Sequence, residues 1–308
     1  MHTKLLTDIV IVNWNAGNYL AACVNSIIHN DNEQLTGKII IVDNHSSDDS
    51  LSKLPIHKKI IIIRNPDNKG FAKACNQGFQ QCTSANTLLL NPDAQLLPDT
   101  LSLCTGYMQN HLDTDILGCS LLNDQGQVSV TCARFPKPYR YLSDALGLSK
   151  LFPQLFTPAV LMTDWNHSTS KEVNQVMGAF MFMKTSIFEN YGYFDERFFV
   201  YYEELDFSKR VIDAGGKIFY NAAIKAIHSG EGTTQSVKAF RLYLSLQSRM
   251  KYARKHFGTF GLLTVALSTY IIEPFSRAAF CMLKGDFSGV KNIGQGYKML
   301  IFGGPKDR

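Results

Sequence analysis

Four short runs constrain this chain more than anything else in it: "DIVIVNW" (Asp8–Trp14), "KIIIVDN" (Lys38–Asn44), "KIIIIRN" (Lys59–Asn65) and "NTLLLNPD" (Asn86–Asp93). None alternates apolar with polar residues, as a strand with one wet face would, so each reads as a buried strand. Between them lie segments with a helical period. Tyr19 to Ile28 sets Leu20, Cys23, Val24 and Ile27 on one face, and "GFAKACNQGFQQC" repeats the pattern. Unalternating strands separated by helices indicate an α/β fold, a mainly parallel sheet covered by helices on both faces.

The region from Asp124 to Glu172 is irregular and holds Pro136, Pro138, Pro153 and Pro158. A connection this long in a compact domain is expected to be a binding segment or lid. Regular structure resumes with "VNQVMGAFMFMKTSIF" and "GKIFYNAAIKAIH", the latter a strand or strand pair ending at His228. The last seventy or so residues read as a helical extension. From Val237 onward there are 12 Lys and Arg against three acids, whereas the chain before it is net acidic. The run "GLLTVALSTYII" (Gly261–Ile272) stops at Glu273–Pro274, short of the roughly 20 residues a membrane span needs. Its flanking bases in "SRMKYARKH", Arg277 and Lys284 suit a helix lying on an anionic membrane surface. The plainer alternative is a core helix with a solvated basic neighbour. Nucleic acid is disfavoured as a partner, because the bases alternate with aliphatic residues and not with stacking aromatics.

Seven scattered cysteines without a C-x-x-C pair point to a reducing compartment and away from a disulfide framework or zinc site. The N-terminus reads as a first strand, with no small-residue cleavage site.

In an open parallel sheet, ligands bind beyond the carboxyl ends of the strands. The unusual polar residues fall there: Asn13 and Asn15 after the first strand, Asp43-Asn44 and "HSSDD" after the second, "NPDNKG" after the third, Asn91-Pro92-Asp93 after the fourth. Each alone is ordinary turn chemistry. A dinucleotide site needs G-x-G-x-x-G and a Walker loop needs G-K-S/T, and neither is present at the first strand end. Asp93, kept near the turn by Pro92, is suited to a divalent ion such as Mg2+ or Mn2+ bridging a diphosphate. Asp43 is suited to hydrogen bonds with a nucleoside base or ribose. His228 is a candidate further metal or phosphate contact, with a structural role as its alternative.

Taken in order, "IVNWN", "IIVDNHSSDDS", "NKGFAKACNQG", "LLLNPD", "GAFMFMKTSIF", "GYFDERFFVYYEELDFSKRV" and His228 resemble the inverting nucleotide-sugar glycosyltransferases of family 2, closest to a rhamnosyltransferase-like branch. The likeness runs from Asp8 to His228, nearly three-quarters of the chain. It implies the GT-A fold, a Rossmann-like nucleotide-diphospho-sugar transferase sheet. It implies that Asn13, Asn15, Asp43, Asn68, Gly70 and Asn76 line the nucleotide site, with Asn91 at the first place of the metal motif usually written D-x-D and Asp93 as its metal-binding acid. Gly178 and Ala179 match the small residues beside sugar and acceptor. "YYEELD" matches the aromatic-E-D-x-D segment, which makes Glu204 the catalytic base.

Glu203 and Asp206 add like charge beside Glu204, and with the neighbouring aromatics they are expected to raise its pKa. Asp206 and Arg210, spaced i,i+4, are expected to pair on a helix. The expected organisation is a catalytic domain over 1–236, with a nucleotide-sugar half at about 1–95 and an acceptor half at about 96–236. A basic, amphipathic membrane-association region follows over 237–308. The resemblance implies a metal-dependent transfer of one sugar, L-rhamnose from a dTDP donor first among candidates, to a lipid-diphosphate-linked glycan at the inner face of a bacterial membrane. A UDP-hexose donor, or a non-catalytic sugar-nucleotide-binding scaffold, is the alternative. The Q-x-x-R-W segment of processive synthases is absent.

Overall fold

The computed structural model describes residues 5–31, 34–230 and 238–304. The expected boundary between 236 and 237, the later part of the Gly-rich turn after His228, and Lys306, Asp307 and Arg308 lie outside the described residues.

The elements run β1 (Thr7–Asn13), α1 (Asn18–His29), β2 (Thr36–Asp43), β3 (Ile60–Arg64), α2 (Phe71–Phe79), β4 (Asn86–Leu90), β5 (Ala94–Leu96), α3 (Thr100–Asn110) and β6 (Ile116–Leu122). There follow β7 (Cys132–Ala133), α4 (Pro138–Ala145), α5 (Leu148–Leu151), β8 (Lys171–Glu172), β9 (Gln175–Val176), β10 (Phe180–Lys184), α6 (Ile187–Tyr191), α7 (Glu203–Asp213) and β11 (Ile218–His228). The C-terminal extension is helical: α8 (Lys238–His256), α9 (Thr259–Leu267), α10 (Glu273–Leu283) and α11 (Phe287–Phe302), with a π-helical turn at Ser268–Ile272 joining α9 to α10.

The main sheet has the order β3-β2-β1-β4-β10-β6-β11-β5, with β8 beside β11. β1, β2, β3 and β4 run parallel, β10 runs against both β4 and β6, and β11 is parallel to β6. The sheet is therefore mixed but mainly parallel, and it is sandwiched between helices. Along β1, Ile9 and Ile11 pack with Leu20, Val24 and Ile27 of α1 on one face. Val10 and Val12 pack with Ala72, Cys75 and Phe79 of α2 on the other. Two buried faces are why the strand sequences do not alternate. The third strand departs from its expected burial: Ile61 and Ile62 are exposed, because among the described residues β3 is the edge of the sheet.

This topology gathers one rim. The carboxyl ends of β1, β2, β3 and β4 share an edge, and the register Phe180↔Leu90 in the antiparallel β4–β10 pair brings Gly178-Ala179 to the same edge. His228 arrives at the end of β11, opposite Ala94 of β5 and so next to Asp93. The irregular middle region becomes α4, α5 and the small β7–β9 ribbon, and α4 packs against α9.

Candidate active site

The ends of β1 and β2 are tied by a short polar network. Asn13, fully buried, donates from Nδ2 to Asp43 Oδ1 at 2.8 Å, to Ser46 Oγ at 3.0 Å and to Ser50 Oγ at 2.8 Å. Asn15, in a left-handed conformation, accepts from the Ser47 amide at 2.7 Å and donates its own backbone N–H to Ser46 Oγ. Asp43 is thus oriented from beneath, its Oδ2 facing the Ser46 amide at 3.4 Å. Asn44, named among the polar strand-end residues but not among those expected to line the nucleotide site, belongs to the same network. It donates to Asn68 Oδ1 at 2.7 Å and accepts from the Lys69 amide at 2.9 Å, linking the second strand end to the third. The structure therefore joins Asn13, Asn15, Asp43, Asn68 and Gly70 along one rim. Asn76 is engaged elsewhere: it is buried, and both ends of its amide bond the backbone of Phe194, with Nδ2 also reaching Glu196.

Gly70 sits where no other residue fits well. Its φ is +84°, and a Cβ there would lie 2.6 Å from the Phe199 carbonyl oxygen. The adjoining Phe71 amide donates to that same oxygen at 2.6 Å. The third strand end is in this way pinned to the "FDERFFVYYEELD" segment.

Asn91 and Asp93 occupy the turn between β4 and β5. The Asn91 amide donates to Ala179 O at 3.0 Å. Asp93 Oδ1 lies 3.3 Å from His228 Nε2, with both side chains about one-tenth exposed (11% and 12%). A hard carboxylate oxygen and an imidazole nitrogen converging at a partly covered rim suit Mg2+ or Mn2+. Among the described residues no group of three or more His, Cys, Asp or Glu could hold a metal. These two donors would leave the other coordination positions to diphosphate oxygens and water.

The acidic segment opens α7. Tyr201 and Tyr202, which precede it, both have positive φ (68° and 72°). Non-glycine residues hold that conformation only where their surroundings enforce it. Glu203 is buried and Glu204 partly exposed. The Glu204 carboxylate lies against Gly178, where a Cβ would stand 2.7 Å from Glu204 Oε1. Burial raises the Glu204 pKa, opposed by the backbone amides of Glu204 and Gly178. Burial, and then the Glu204 charge, push Glu203 well above the ordinary carboxylate range.

Asp206 behaves otherwise. Burial pushes its pKa up, but bonds from His256 and Lys255 more than offset this and hold it low. The expected pair with Arg210 is present at 3.1 Å. The expectation that Glu203 and Asp206 raise Glu204 by like charge is therefore corrected: cations match Asp206, and burial is what raises Glu204.

The bases of "SRMKYARKH" also require correction. Arg249 pairs with Glu273, Lys251 donates to Arg197 O at 2.6 Å, and Lys255 reaches Asp195 at 2.7 Å and Asp206 at 2.6 Å. Of the four, Arg254 alone is exposed. Arg249 and Lys255 face inward to acids distant in sequence, and Lys251 to a backbone carbonyl. Among the described residues no helix is long and apolar enough to cross a membrane.

Comparisons with known proteins agree with this architecture. The mannosyltransferase PcManGT from Pyrobaculum calidifontis, solved with GDP-Man and Mn2+, is similar in fold with a TM-score of 0.54 at 12% identity, over 96% of this chain and 80% of that one. GalNAc-T7, solved with UDP, GalNAc and Mn2+, gives 0.60 at 12% identity, over 98% of this chain and 57% of that one. In sequence, a low-salt glycan biosynthesis hexosyltransferase, Agl10 of Haloferax volcanii, is 26% identical over 69% of this chain, and the match spans 66% of that relative's length. The rhamnosyltransferase WbbL of Escherichia coli is 24% identical over 70% of this chain and 92% of that one. The sequence model described as "Glycosyl transferase family 2" matches residues 8–191, well over half of the chain, and the chain therefore belongs to that family.

Proposed function

We propose that this chain is an inverting, metal-dependent glycosyltransferase that moves one sugar from a nucleotide-sugar onto a lipid-diphosphate-linked glycan, in the building of a bacterial surface polysaccharide. The observation that carries this is the dipeptide Gly178-Ala179. Gly178 leaves the space that the Glu204 carboxylate fills, since a Cβ there would stand 2.7 Å from Oε1, and the Ala179 carbonyl holds the Asn91–Asp93 turn. A candidate base and a candidate diphosphate site are thus mounted on adjacent residues, as an in-line displacement requires. Glu204 takes the proton of the acceptor hydroxyl as that oxygen attacks the anomeric carbon, and the bond to the diphosphate breaks on the opposite face. Asp93 and His228 would hold Mg2+ or Mn2+, which when bound offsets the charge of the leaving diphosphate. Asp43, oriented by Asn13, meets the nucleoside.

L-rhamnose from dTDP-rhamnose is the first candidate donor, supported by the branch resemblance and by the likeness to a protein named as a rhamnosyltransferase. A UDP-linked or other hexose is the second, favoured by the likeness to a hexosyltransferase. Residues 237–308 would rest on the inner face of the cell membrane. Phe260, Leu263, Leu267, Ile271 and Phe275 form an exposed apolar stripe at helical spacing along α9 and α10, and Lys284, Lys291 and Lys298 are exposed on the same extension.

The test is thermal-shift binding of the purified chain to dTDP-rhamnose, UDP-sugars and GDP-sugars, with and without Mn2+. Metal-dependent binding of one donor is expected. A folded chain that binds none of them would favour the scaffold reading.

A further inference from the structure

We infer that Lys255 and His256, at the C-terminal end of α8, are positioning residues for the transfer. They hold the first turn of α7, and with it Glu204, through the buried carboxylate of Asp206. This rests on the reading of Glu204 as the base.

Asp206 is fully buried. Its Oδ1 lies 2.6 Å from Lys255 Nζ and 2.7 Å from His256 Nε2, and its Oδ2 accepts from Arg210 Nε at 3.1 Å. Lys255 also reaches Asp195 Oδ2 at 2.7 Å, so one ammonium ties both ends of the segment that carries the base. The rest of α8 follows the same segment. Lys251 donates to Arg197 O at 2.6 Å, Ser248 to Val200 O at 2.8 Å, and Arg241 to the Tyr201 hydroxyl at 3.2 Å. Between these contacts lie the two left-handed tyrosines, and the Asp206 amide closes on Tyr202 O at 2.8 Å to begin α7. A turn of that conformation needs restraint from outside itself. Removing one partner of a buried ion pair leaves a charge that must find water or a new partner. The turn would then shift, and displacement of a reacting group by about 1 Å costs up to roughly a hundredfold in rate.

The experiment uses the full chain with Lys255→Met, His256→Gln and Lys255→Arg. Hydrogen exchange on the donor-free protein reads residues 198–207 against β1 and β4. Release of dTDP from dTDP-rhamnose with Mn2+, water serving as acceptor, reads kcat and KM. Lys255→Met and His256→Gln are expected to speed exchange over 198–207 only and to lower kcat about tenfold or more, leaving KM within about twofold. Lys255→Arg should recover most of the rate. On a Glu204→Gln background, Lys255→Met should cost nothing further, because both changes act through one group. Unchanged exchange over 198–207 in folded Lys255→Met protein overturns the inference, as does full additivity with Glu204→Gln. If the wild-type chain releases no nucleotide from dTDP-rhamnose or UDP-hexoses, the functional reading fails instead, and the exchange data still decide whether α8 holds the turn.

Discussion

Gly178 and the Glu204 side chain pack so closely that the hydrogen glycine carries in place of a side chain is what leaves room: a Cβ would come within 2.7 Å of Oε1, 3.0 Å of Cγ and 3.3 Å of Cδ. The atoms that would be displaced belong to a flexible side chain and not to the backbone. Gly178→Ala should therefore disturb the fold little and the base a great deal. The expected outcome is a kcat lowered about tenfold to a hundredfold, with donor affinity and melting temperature nearly unchanged. Steady-state kinetics beside a melting curve would check it.

Glu204 is expected to set the acid limb of the pH–rate profile. Its pKa is raised by burial, and the transfer needs its ionised form. The rate should fall with decreasing pH about a midpoint above the 4.5 of an ordinary glutamate. Glu204→Gln should keep donor binding while losing on the order of a hundredfold to ten-thousandfold in turnover. A variant that retained wild-type turnover would remove Glu204 from the mechanism.

Glu203 makes a prediction about stability. Its folded pKa lies above its unfolded value, so the native state binds the extra proton. That contribution is fully present below the unfolded pKa and is lost as pH rises toward the folded one. Glu203→Gln keeps the shape and removes the titration. It should raise the melting temperature relative to wild type at pH 8, by about 2 °C or more, and change it little at pH 4. Calorimetry at the two pH values separates this from a uniform effect.

Gly70 tests the pinning of the third strand end. Alanine there meets a backbone oxygen, that of Phe199, at 2.6 Å, and must hold φ near +84°. Backbone cannot yield as a side-chain tip does. Gly70→Ala is expected to cost about 1–3 kcal/mol of stability and to weaken donor binding together with turnover. Denaturant titration would give the first and thermal shift with donor the second.

Asp93 and His228 should share one effect. Asp93→Asn and His228→Ala are each expected to weaken Mn2+-dependent donor binding, and the double variant to cost less than the sum, since the two side chains meet at 3.3 Å. Donor affinity measured across Mn2+ concentrations would show it. Independent, fully additive losses would place the two residues in separate sites.

Much of this protein is legible in its sequence. The unalternating runs at Asp8–Trp14, Lys38–Asn44 and Asn86–Asp93 are buried on both sides, and the helices between them fall where their apolar period puts them. Those are local properties: strand and helix patterns depend on neighbours a few residues away. The polar ends of the strands were likewise readable, because a parallel sheet places every carboxyl end on one edge. What the sequence could not determine is set by pairs far apart in the chain. Ile61 and Ile62 have the composition of core residues, yet they are exposed because β3 is the edge strand among the described residues. Asn76 carries the type of side chain a nucleotide would use, yet its amide is engaged by Phe194, 118 residues away. Lys255 and His256 sit in a run that reads as lipid-facing, and they turn inward because Asp206, about fifty residues earlier, is fully buried there. A buried charge takes the partner that packing brings to it, and packing is decided by the tertiary fold alone.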